Sequence, residues 1–398
     1  MKNKGMTLIE LMVAMVIGLG ITLAISSVLI ASENHKRTTT STNDAQQTGS
    51  YGYYALDKAL RGAGSGIAGS AFPTDVGVLG CHLNAGTIFP RPAANPFPPP
   101  FANFLAGVTN TLNVAPVLIG QAQSQDGVSD VIMVMSGSGS AGGVSRQITG
   151  GGTATTAILD NTVGFANNDL LLVSQSGVPD CLMEQVVTIA PPLLNLAGTY
   201  YTATAATTSM AALAGNTSSY ITPIGNAAAN NVQFLLFGVD NNRTLYSYDL
   251  LQNLNLVGGV GADSAQAIAD SVVQMNALYG IDTNGDGIQD SWTAPNATTV
   301  PAWDVNTVMN SPVQMKQIVS VRIALVVRGE YYDLNGGTAT APNPVSPPTL
   351  TIFNGLTNSA GTSLAQVINL NATDQQFRYR IFEFTVPLRN MLLLAGGP

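Results

Sequence analysis

An apolar run at the N-terminus constrains this chain more than any other feature of its sequence. Between Met6 and Ile30 the run contains 25 residues, and Glu10 is the one ionisable side chain among them. An α-helix of that length rises about 38 Å, which is enough to cross the roughly 30 Å hydrocarbon core of a bilayer. A cleaved secretory signal has a shorter apolar core that ends at a small-residue cleavage site. The sequence therefore predicts a membrane-spanning helix over about residues 6–30.

The helical pattern continues beyond the predicted span. Residues 33–63 contain no proline, and apolar side chains recur in this segment at helical spacing. They are Tyr51, Ala55 and Ala59, with Leu56 and Leu60 beside them. Such spacing places the side chains on one side of a helix. We expect the helix to extend to Ala63 and to pack this stripe against a globular head.

The composition excludes several functional classes. The 398 residues are 45% hydrophobic and 10% charged, with a formal net charge of −8. A nucleic-acid-binding protein needs clustered Lys and Arg, and a disordered protein combines high net charge with few apolar residues. Two His residues in the whole chain provide little material for a His-ligated zinc site or a His-based catalytic triad. These properties favour an exported, β-rich protein over a nucleic-acid-binding protein or a cytosolic enzyme.

Apolar, β-branched segments bounded by turn residues predict strands in the remainder of the chain. The candidates are Asp130–Met135, Asp169–Ser174, Glu184–Ile189, Val232–Phe237, Thr244–Asp249, Val272–Tyr279, Ile318–Val327 and Arg378–Pro387. Consecutive strands without helical patterns between them indicate a mainly antiparallel sheet, and hence an α+β fold attached to the N-terminal helix. The connections around residues 136–168, 190–231 and 333–372 are rich in Gly, Ala, Thr and Asn, and we interpret them as loops.

The N-terminal sequence also resembles a known processing signal. A short basic leader, MKNKG, precedes MTLIELMVAMVIG, and together they resemble the class III signal of type IV prepilins. In that family the prepilin peptidase cuts after the glycine, so the resemblance implies cleavage after Gly5 and N-methylation of Met6. It also implies that Glu10 neutralises the new N-terminal amine of a neighbouring subunit. An acid in hydrocarbon costs about 2.5–3.5 kcal/mol on insertion scales, so such a partner is physically reasonable.

Four later segments narrow the resemblance to one family. NNDLLLVSQSGVPDC (167–181), YGIDTNGDGIQDSW (279–292), VSVRIALVVRGE (319–330) and FRYRIFEFTVPLRN (377–390) resemble successive blocks of PilW-type minor pilins. The resemblance implies a structural subunit, not an enzyme, that enters a type IV pilus through its helix. It further implies a complex with other minor and major pilins that primes pilus assembly near the tip and helps present an adhesin there.

Under the pilin interpretation the chain has three parts, namely a leader, the pilin helix and an exported head, which are residues 1–5, 6–63 and 64–398. Lys2 and Lys4 favour a cytoplasmic N-terminus, although Lys36 and Arg37 beyond the span reduce the charge asymmetry. We expect the chain to be a single-pass protein of the inner membrane before assembly. After assembly we expect it to lie in the pilus, with its head extracellular.

Two other functions fit parts of the sequence. A minor pseudopilin of a type II secretion system shares the leader, the helix and an α+β head with a minor pilin. A membrane-tethered envelope enzyme or carbohydrate-binding protein would need a cleft with converging acids or histidines. The acidic cluster in the sequence has the residue pattern of a turn and does not indicate such a cleft. The second alternative therefore has less support.

An acidic segment of the head has the spacing of a calcium-binding loop. Oxygen-bearing side chains occupy positions 1, 3, 5 and 9, a glycine occupies position 6, and position 7 offers its backbone carbonyl. Positions 1, 3, 5 and 9 are Asp282, Asn284, Asp286 and Asp290. Position 6 is Gly287 and position 7 is Ile288. Position 12 is Thr293 instead of Glu, so this is not a full EF-hand, and Asp304 is a conceivable further ligand. A plain hairpin turn is the alternative, but three carboxylates in nine residues repel unless a cation separates them, and we predict structural Ca²⁺.

Two cysteines, Cys81 and Cys181, lie beyond the predicted span, where the compartment is oxidising. We predict a disulfide that joins the first loop after the helix to the early strands, against the alternative of two buried thiols. A nucleophilic pair of Cys81 and His82 is a further alternative. Neighbours in sequence rarely face each other, however, and a disulfide would use the thiol.

Overall fold

The computed structural model describes residues 7–68, 78–86, 88–91, 97–105, 112–138, 144–251, 265–333 and 342–395. Within these ranges the chain forms five α-helices and eighteen strands. The helices are α1 (Leu8–Gly62), α2 (Met210–Ala214), α3 (Val305–Met309), α4 (Pro312–Gln317) and α5 (Arg389–Ala395). The strands are β1 (His82–Asn84), β2 (Val117–Gly120), β3 (Val131–Ser136), β4 (Arg146–Gln147), β5 (Thr156–Ile158), β6 (Asp169–Gln175), β7 (Asp180–Ala190), β8 (Leu193–Leu196), β9 (Ser219–Asn226), β10 (Gln233–Val239), β11 (Leu245–Asp249), β12 (Gln266–Ala269), β13 (Val272–Ile281), β14 (Ser291–Thr293), β15 (Ile318–Arg328), β16 (Thr349–Ile352), β17 (Gln366–Asn369) and β18 (Tyr379–Pro387).

The long helix α1 buries one side of its second half against the head. The buried residues recur at intervals of three or four and are Ser41, Ala45, Gly49, Gly52, Leu56 and Leu60. The predicted stripe is therefore partly wrong, because Tyr51 is 58% exposed whereas Leu56 and Leu60 are fully buried. The buried side of α1 includes Gly49 and Gly52. Glycine has no side chain, so a pattern of apolar side chains does not predict that these positions pack against the head.

Glycine 49 allows the helix to lie close to the sheet below it. A Cβ atom on Gly49 would overlap the ring of Phe382 on β18. One turn further along α1, the rings of Tyr53 and Phe384 meet edge to face with their centroids 4.5 Å apart. An aromatic pair of this geometry contributes roughly 0.5–1.5 kcal/mol beyond the area it buries. These contacts fix α1 against β18.

Two antiparallel sheets lie beneath α1. The helix-packed sheet has the strand order β14-β13-β15-β18, and a second sheet has the order β12-β11-β10-β3-β2. The helix contacts β15 and β18 of the first sheet and β3 and β12 of the second. The buried carboxylate of Asp130 joins the sheets by accepting hydrogen bonds from the backbone N–H groups of Ala122 (2.9 Å) and Ala277 (2.8 Å). Burial raises the pKa of Asp130 to about 7 in spite of these bonds.

A third sheet, called the curled sheet below, encloses a core of its own. Its strand order is β4-β9-β6-β7-β8-β5, and β1 pairs with β7 in parallel. An antiparallel bridge between Ile148 and Leu159 connects the two ends of this order, so the sheet curls round an apolar interior. The other pairings among the described strands are antiparallel, which confirms the α+β prediction.

Each of the eight predicted strands is present, with ends that differ by a few residues. The interpretation of three long connections as loops is wrong in part, since they contain β4, β5, β8, α2, β9, β16 and β17. Apart from β9, these elements have only two to five residues, which is too short for a recognisable apolar pattern. They are ordered by pairing with longer strands, as β9 is along the whole of β6. Such pairing is non-local and leaves little pattern in the sequence.

Candidate functional site

The predicted processing residues Gly5 and Met6 lie outside the described part of the chain, which starts at Thr7. Glu10 is described, and it closes a capping box at the start of α1. Its carboxylate accepts hydrogen bonds from the Thr7 N–H (2.9 Å) and the Thr7 hydroxyl (3.0 Å), while the Glu10 N–H donates to Thr7 Oγ1 (3.3 Å). The box satisfies two of the backbone donors that a helix start leaves unpaired. Glu10 is thereby held beside the first residues of the helix.

The first half of α1 exposes a continuous apolar surface. Leu8, Val16 and Leu29 are 75%, 73% and 64% exposed, and the residues between them have similar exposure. Among the described residues, α1 is the one helix long and apolar enough to cross a membrane by length and composition. Monomeric soluble proteins rarely expose an apolar surface of this extent, so lipid or other helices must cover it.

The head meets α1 soon after this apolar half ends. Arg37 Nε lies 3.0 Å from Glu33 Oε1, and the Arg37 guanidinium lies 5.8 Å from the centroid of the Tyr331 ring. Four residues later the Ser41 hydroxyl accepts a hydrogen bond from the Tyr331 N–H at 3.3 Å. Ser41 is about 16 Å along the helix from Ile30. If the span ends near Ile30, the head therefore starts close to the membrane surface.

The predicted calcium loop, residues 282–290, connects β13 to β14. Asp282 is buried, and its carboxylate accepts hydrogen bonds from the backbone N–H groups of Gly285 (2.7 Å) and Gly287 (2.7 Å). The carboxylate of Asp290 accepts hydrogen bonds from the N–H (2.7 Å) and hydroxyl (2.5 Å) of Thr283, which hold the pKa of Asp290 below its usual range. The loop is thus a turn closed by its own acids.

The other predicted calcium ligands have comparable local roles. Asp286 accepts a hydrogen bond from the Ile288 N–H (2.7 Å), and Asn284 accepts one from the Asp286 N–H (2.9 Å). Asp304 caps α3, where its carboxylate accepts from the N–H groups of Asn306 and Thr307. No group of three or more His, Cys, Asp or Glu side chains is arranged to hold a metal ion in the part of the chain that the structure describes. Calcium binding stays a prediction.

The predicted disulfide between Cys81 and Cys181 is present, with the Cα atoms 5.7 Å apart. It joins the start of β1 to β7, and the parallel pairing of Leu83 with Cys181 continues the connection. Next to it, His82 Nδ1 lies 3.3 Å from Asp180 Oδ1. The sulfur of Cys81 is in the disulfide, so a nucleophilic pair with His82 does not form.

One chemically unusual residue was missed by the sequence analysis. Glu184 on β7 is fully buried between Leu182 and Val186, which contribute to the core of the curled sheet. Neither carboxylate oxygen has a hydrogen-bond partner within the described ranges. Burial raises the pKa of Glu184 to about 9, and the nearby N–H of Thr202 opposes this shift only in part. The alternation Leu-x-Glu-x-Val in a strand is the signal that predicts an inward-facing acid.

Comparison with protein families gives two matches, and comparison with curated proteins and with solved structures gives none. Residues 1–19 match the prokaryotic N-terminal methylation motif, and residues 237–390 match PilW, the type IV pilus-assembly protein W. The first match contains the leader and Glu10. The second contains the whole helix-packed sheet against which α1 lies, whereas the curled sheet is outside both. The methylation motif, the exposed apolar helix and the PilW region together support a PilW-type minor pilin of the type IV pilus.

Proposed function

We propose that this chain is a structural subunit, a minor pilin that helps to prime the assembly of a type IV pilus and is incorporated near its tip. One observation carries the proposal. An exposed apolar half-helix and a head packed on the second half of the same helix occur in one chain with a methylation motif and a PilW region. The match to a pilus-assembly family favours a pilus over the pseudopilus of a type II secretion system. The chain performs no catalysis in this proposal.

The proposed mechanism begins with processing in the inner membrane. The prepilin peptidase cuts after Gly5, and Met6 becomes the methylated N-terminus. The apolar half of α1 then leaves the lipid and bundles with the helices of other minor and major pilins. In the filament the head is extracellular, and it helps to present an adhesin at the tip.

Glu10 sets the register of this bundle in our proposal. Its carboxylate pairs with the N-terminal amine of a neighbouring subunit, because neither charge can be solvated in a helix bundle. The capping box holds the carboxylate next to the start of its own helix, where the amine of a neighbour in register would also lie. Removing one partner from a buried ion pair costs about 3–5 kcal/mol.

The test is genetic complementation with variants of Glu10. We expect deletion of the gene to reduce surface pili and twitching, and the native gene to restore both. Glu10→Ala and Glu10→Gln should each lower incorporation into sheared pili by on the order of 100- to 1,000-fold. The Glu10→Gln variant can still form the capping box, but its side chain carries no charge. If Glu10→Gln assembles normally and Glu10→Ala does not, the residue acts as a helix cap and the charge-pairing mechanism is wrong.

Two controls make the result specific. Glu33→Ala removes a different exposed carboxylate of α1, which pairs with Arg37, and should leave incorporation unchanged. Mass spectrometry of each variant should show an N-methylated Met6, so that a failure of assembly is not a failure of processing. Protein recovered from cells with Met1 still attached would contradict the proposed processing.

A further inference from the structure

A cleft of about 760 Å³ lies on the head, away from α1. Its two walls are the loops of residues 294–303 and 358–366, and its floor includes Ile281, Thr293 and Gln317. The volume is within the range of about 300–1,000 Å³ that is typical of small-molecule sites. The predicted processing, assembly, calcium-binding and disulfide residues are not among its described lining residues. We call this site the polar cleft.

The lining of the polar cleft is hydrogen-bonding but uncharged. Twelve of its twenty described lining residues are Ser, Thr, Asn or Gln, and none is Asp, Glu, Lys, Arg or His. Phosphate, carboxylate and ammonium groups are usually recognised by charge-assisted hydrogen bonds. A cleft of this composition therefore favours a neutral ligand with many polar groups.

The backbone of both walls is already committed to local turns. Asn296 Oδ1 accepts hydrogen bonds from the N–H groups of Thr298 and Thr299, both at 3.2 Å. In the opposite wall Asn358 Oδ1 accepts from the N–H groups of Ala360 (3.0 Å) and Thr362 (2.8 Å). An extended peptide binds by adding a strand to free backbone groups. These walls offer few such groups, so side chains must provide the recognition.

Several side chains of the cleft are free to do so. The amides of Gln121, Gln317 and Gln366 make no hydrogen bond within the described ranges, and each provides both donors and an acceptor. The exposed apolar surface of the lining is Val300, whereas Trp303 is 3% exposed and packs with its ring 6.1 Å from that of Tyr279. A sugar ring has hydroxyl groups that both donate and accept, together with an apolar C–H face. Free amides, hydroxyls and the exposed side chain of Val300 match those two properties.

From these observations we propose that the polar cleft binds a neutral oligosaccharide. Uncommitted amides bind the sugar hydroxyls, and the exposed Val300 contacts the C–H face of one ring. This inference is independent of pilus assembly, because it concerns a face of the head that α1 does not cover.

The test uses the full chain in lipid nanodiscs, which avoids detergents with sugar headgroups. The chain contains two Trp residues, so Trp292→Phe leaves Trp303 as the reporter. We expect the fluorescence of Trp303 to change on titration with at least one of maltohexaose, cellohexaose and chitohexaose, and calorimetry to give a matching dissociation constant. Gln317→Ala and Gln366→Ala should each weaken binding roughly three- to ten-fold, the loss expected for one hydrogen bond.

Matched controls decide between the proposal and its alternatives. Gln233→Ala removes an exposed glutamine of β10, outside the cleft, and should not change the dissociation constant. A hexagalacturonate oligomer of the same length should not bind, because its carboxylates find no cation in the lining. The proposal is overturned if none of the three neutral sugars binds, if both cleft variants bind like the parent, or if a neutral peptide such as acetyl-(Gly-Thr)₃-amide binds instead.

Discussion

At the scale of single residues, Glu184 is an ionisable side chain in an apolar environment that disfavours its charged form. It places a carboxyl group in the apolar interior of the curled sheet, with neither oxygen hydrogen-bonded within the described residues. Ionisation there would leave an uncompensated buried charge, so the acid stays protonated at neutral pH and its pKa rises to about 9. In the unfolded chain the same group titrates near 4.5.

This difference makes the stability of the head depend on pH. Between pH 4.5 and about 9 Glu184 in the folded state holds a proton that the unfolded state releases, so this group alone lowers the free energy of unfolding by about 1.4 kcal/mol per pH unit. Glu184→Gln removes the ionisable group and should raise the free energy of unfolding at pH 8 while changing it little at pH 5. Denaturant midpoints of the full chain from pH 5 to 8.5 measure this.

A control with an exposed acid keeps that result specific. Glu330→Gln changes a carboxyl on the surface and should follow the pH dependence of the native chain. Equal slopes for Glu184→Gln and the native chain would show that the buried carboxyl is not protonated in the folded state.

At the scale of elements, the strength of the local pattern decided which predictions succeed. β15 contains eleven residues of nearly continuous apolar sequence, and its position was predicted to within one residue. β9 lies in a segment interpreted as a loop, because Ser219–Asn226 contains a proline, a glycine and several polar residues. It pairs with β6 from end to end, and that pairing involves residues about fifty positions away. Local propensity could not predict it.

The loop between β13 and β14 gives a prediction at the same scale. Its aspartates close a turn through backbone N–H donors, and we still expect three acids so close together to bind Ca²⁺. Calorimetry of the full chain with CaCl₂ should show one binding event, which Asp286→Ala abolishes. Asp44→Ala, on the exposed side of α1, should leave it intact. Absence of binding heat in the native chain would establish the loop as a plain hairpin turn.

At the scale of the whole molecule, the disulfide connects parts that are remote in sequence. Cys81 and Cys181 are 100 residues apart, and their bond attaches the segment after α1 to the curled sheet. Closing a loop of that length stabilises the folded state by up to about 4.7 kcal/mol in the chain-entropy model. The double variant Cys81→Ala, Cys181→Ala should therefore unfold at a clearly lower denaturant concentration than the native chain.

Reduction provides a second route to the same measurement. The native chain unfolded with a reductant should have the same midpoint as the double variant, and the midpoint of the double variant should not respond to reductant. Two free thiols in denatured, unreduced protein would show that the bond does not form in the cell.

The sequence alone was sufficient to predict the long apolar helix, the N-terminal methylation motif, the longer antiparallel strands of the head and the similarity to PilW. These features depend on local patterns: the length of an apolar run, a short motif, and apolar, β-branched segments bounded by turn residues. The tertiary structure alone decided that the helix packs through Gly49 and Gly52, that the curled sheet meets itself at Ile148 and Leu159, and that Glu184 is buried. It alone brought residues 294–303 and 358–366 together into one cleft. The reason is that such contacts join residues tens of positions apart, and their stability comes from packing and exclusion of water, which local sequence does not encode.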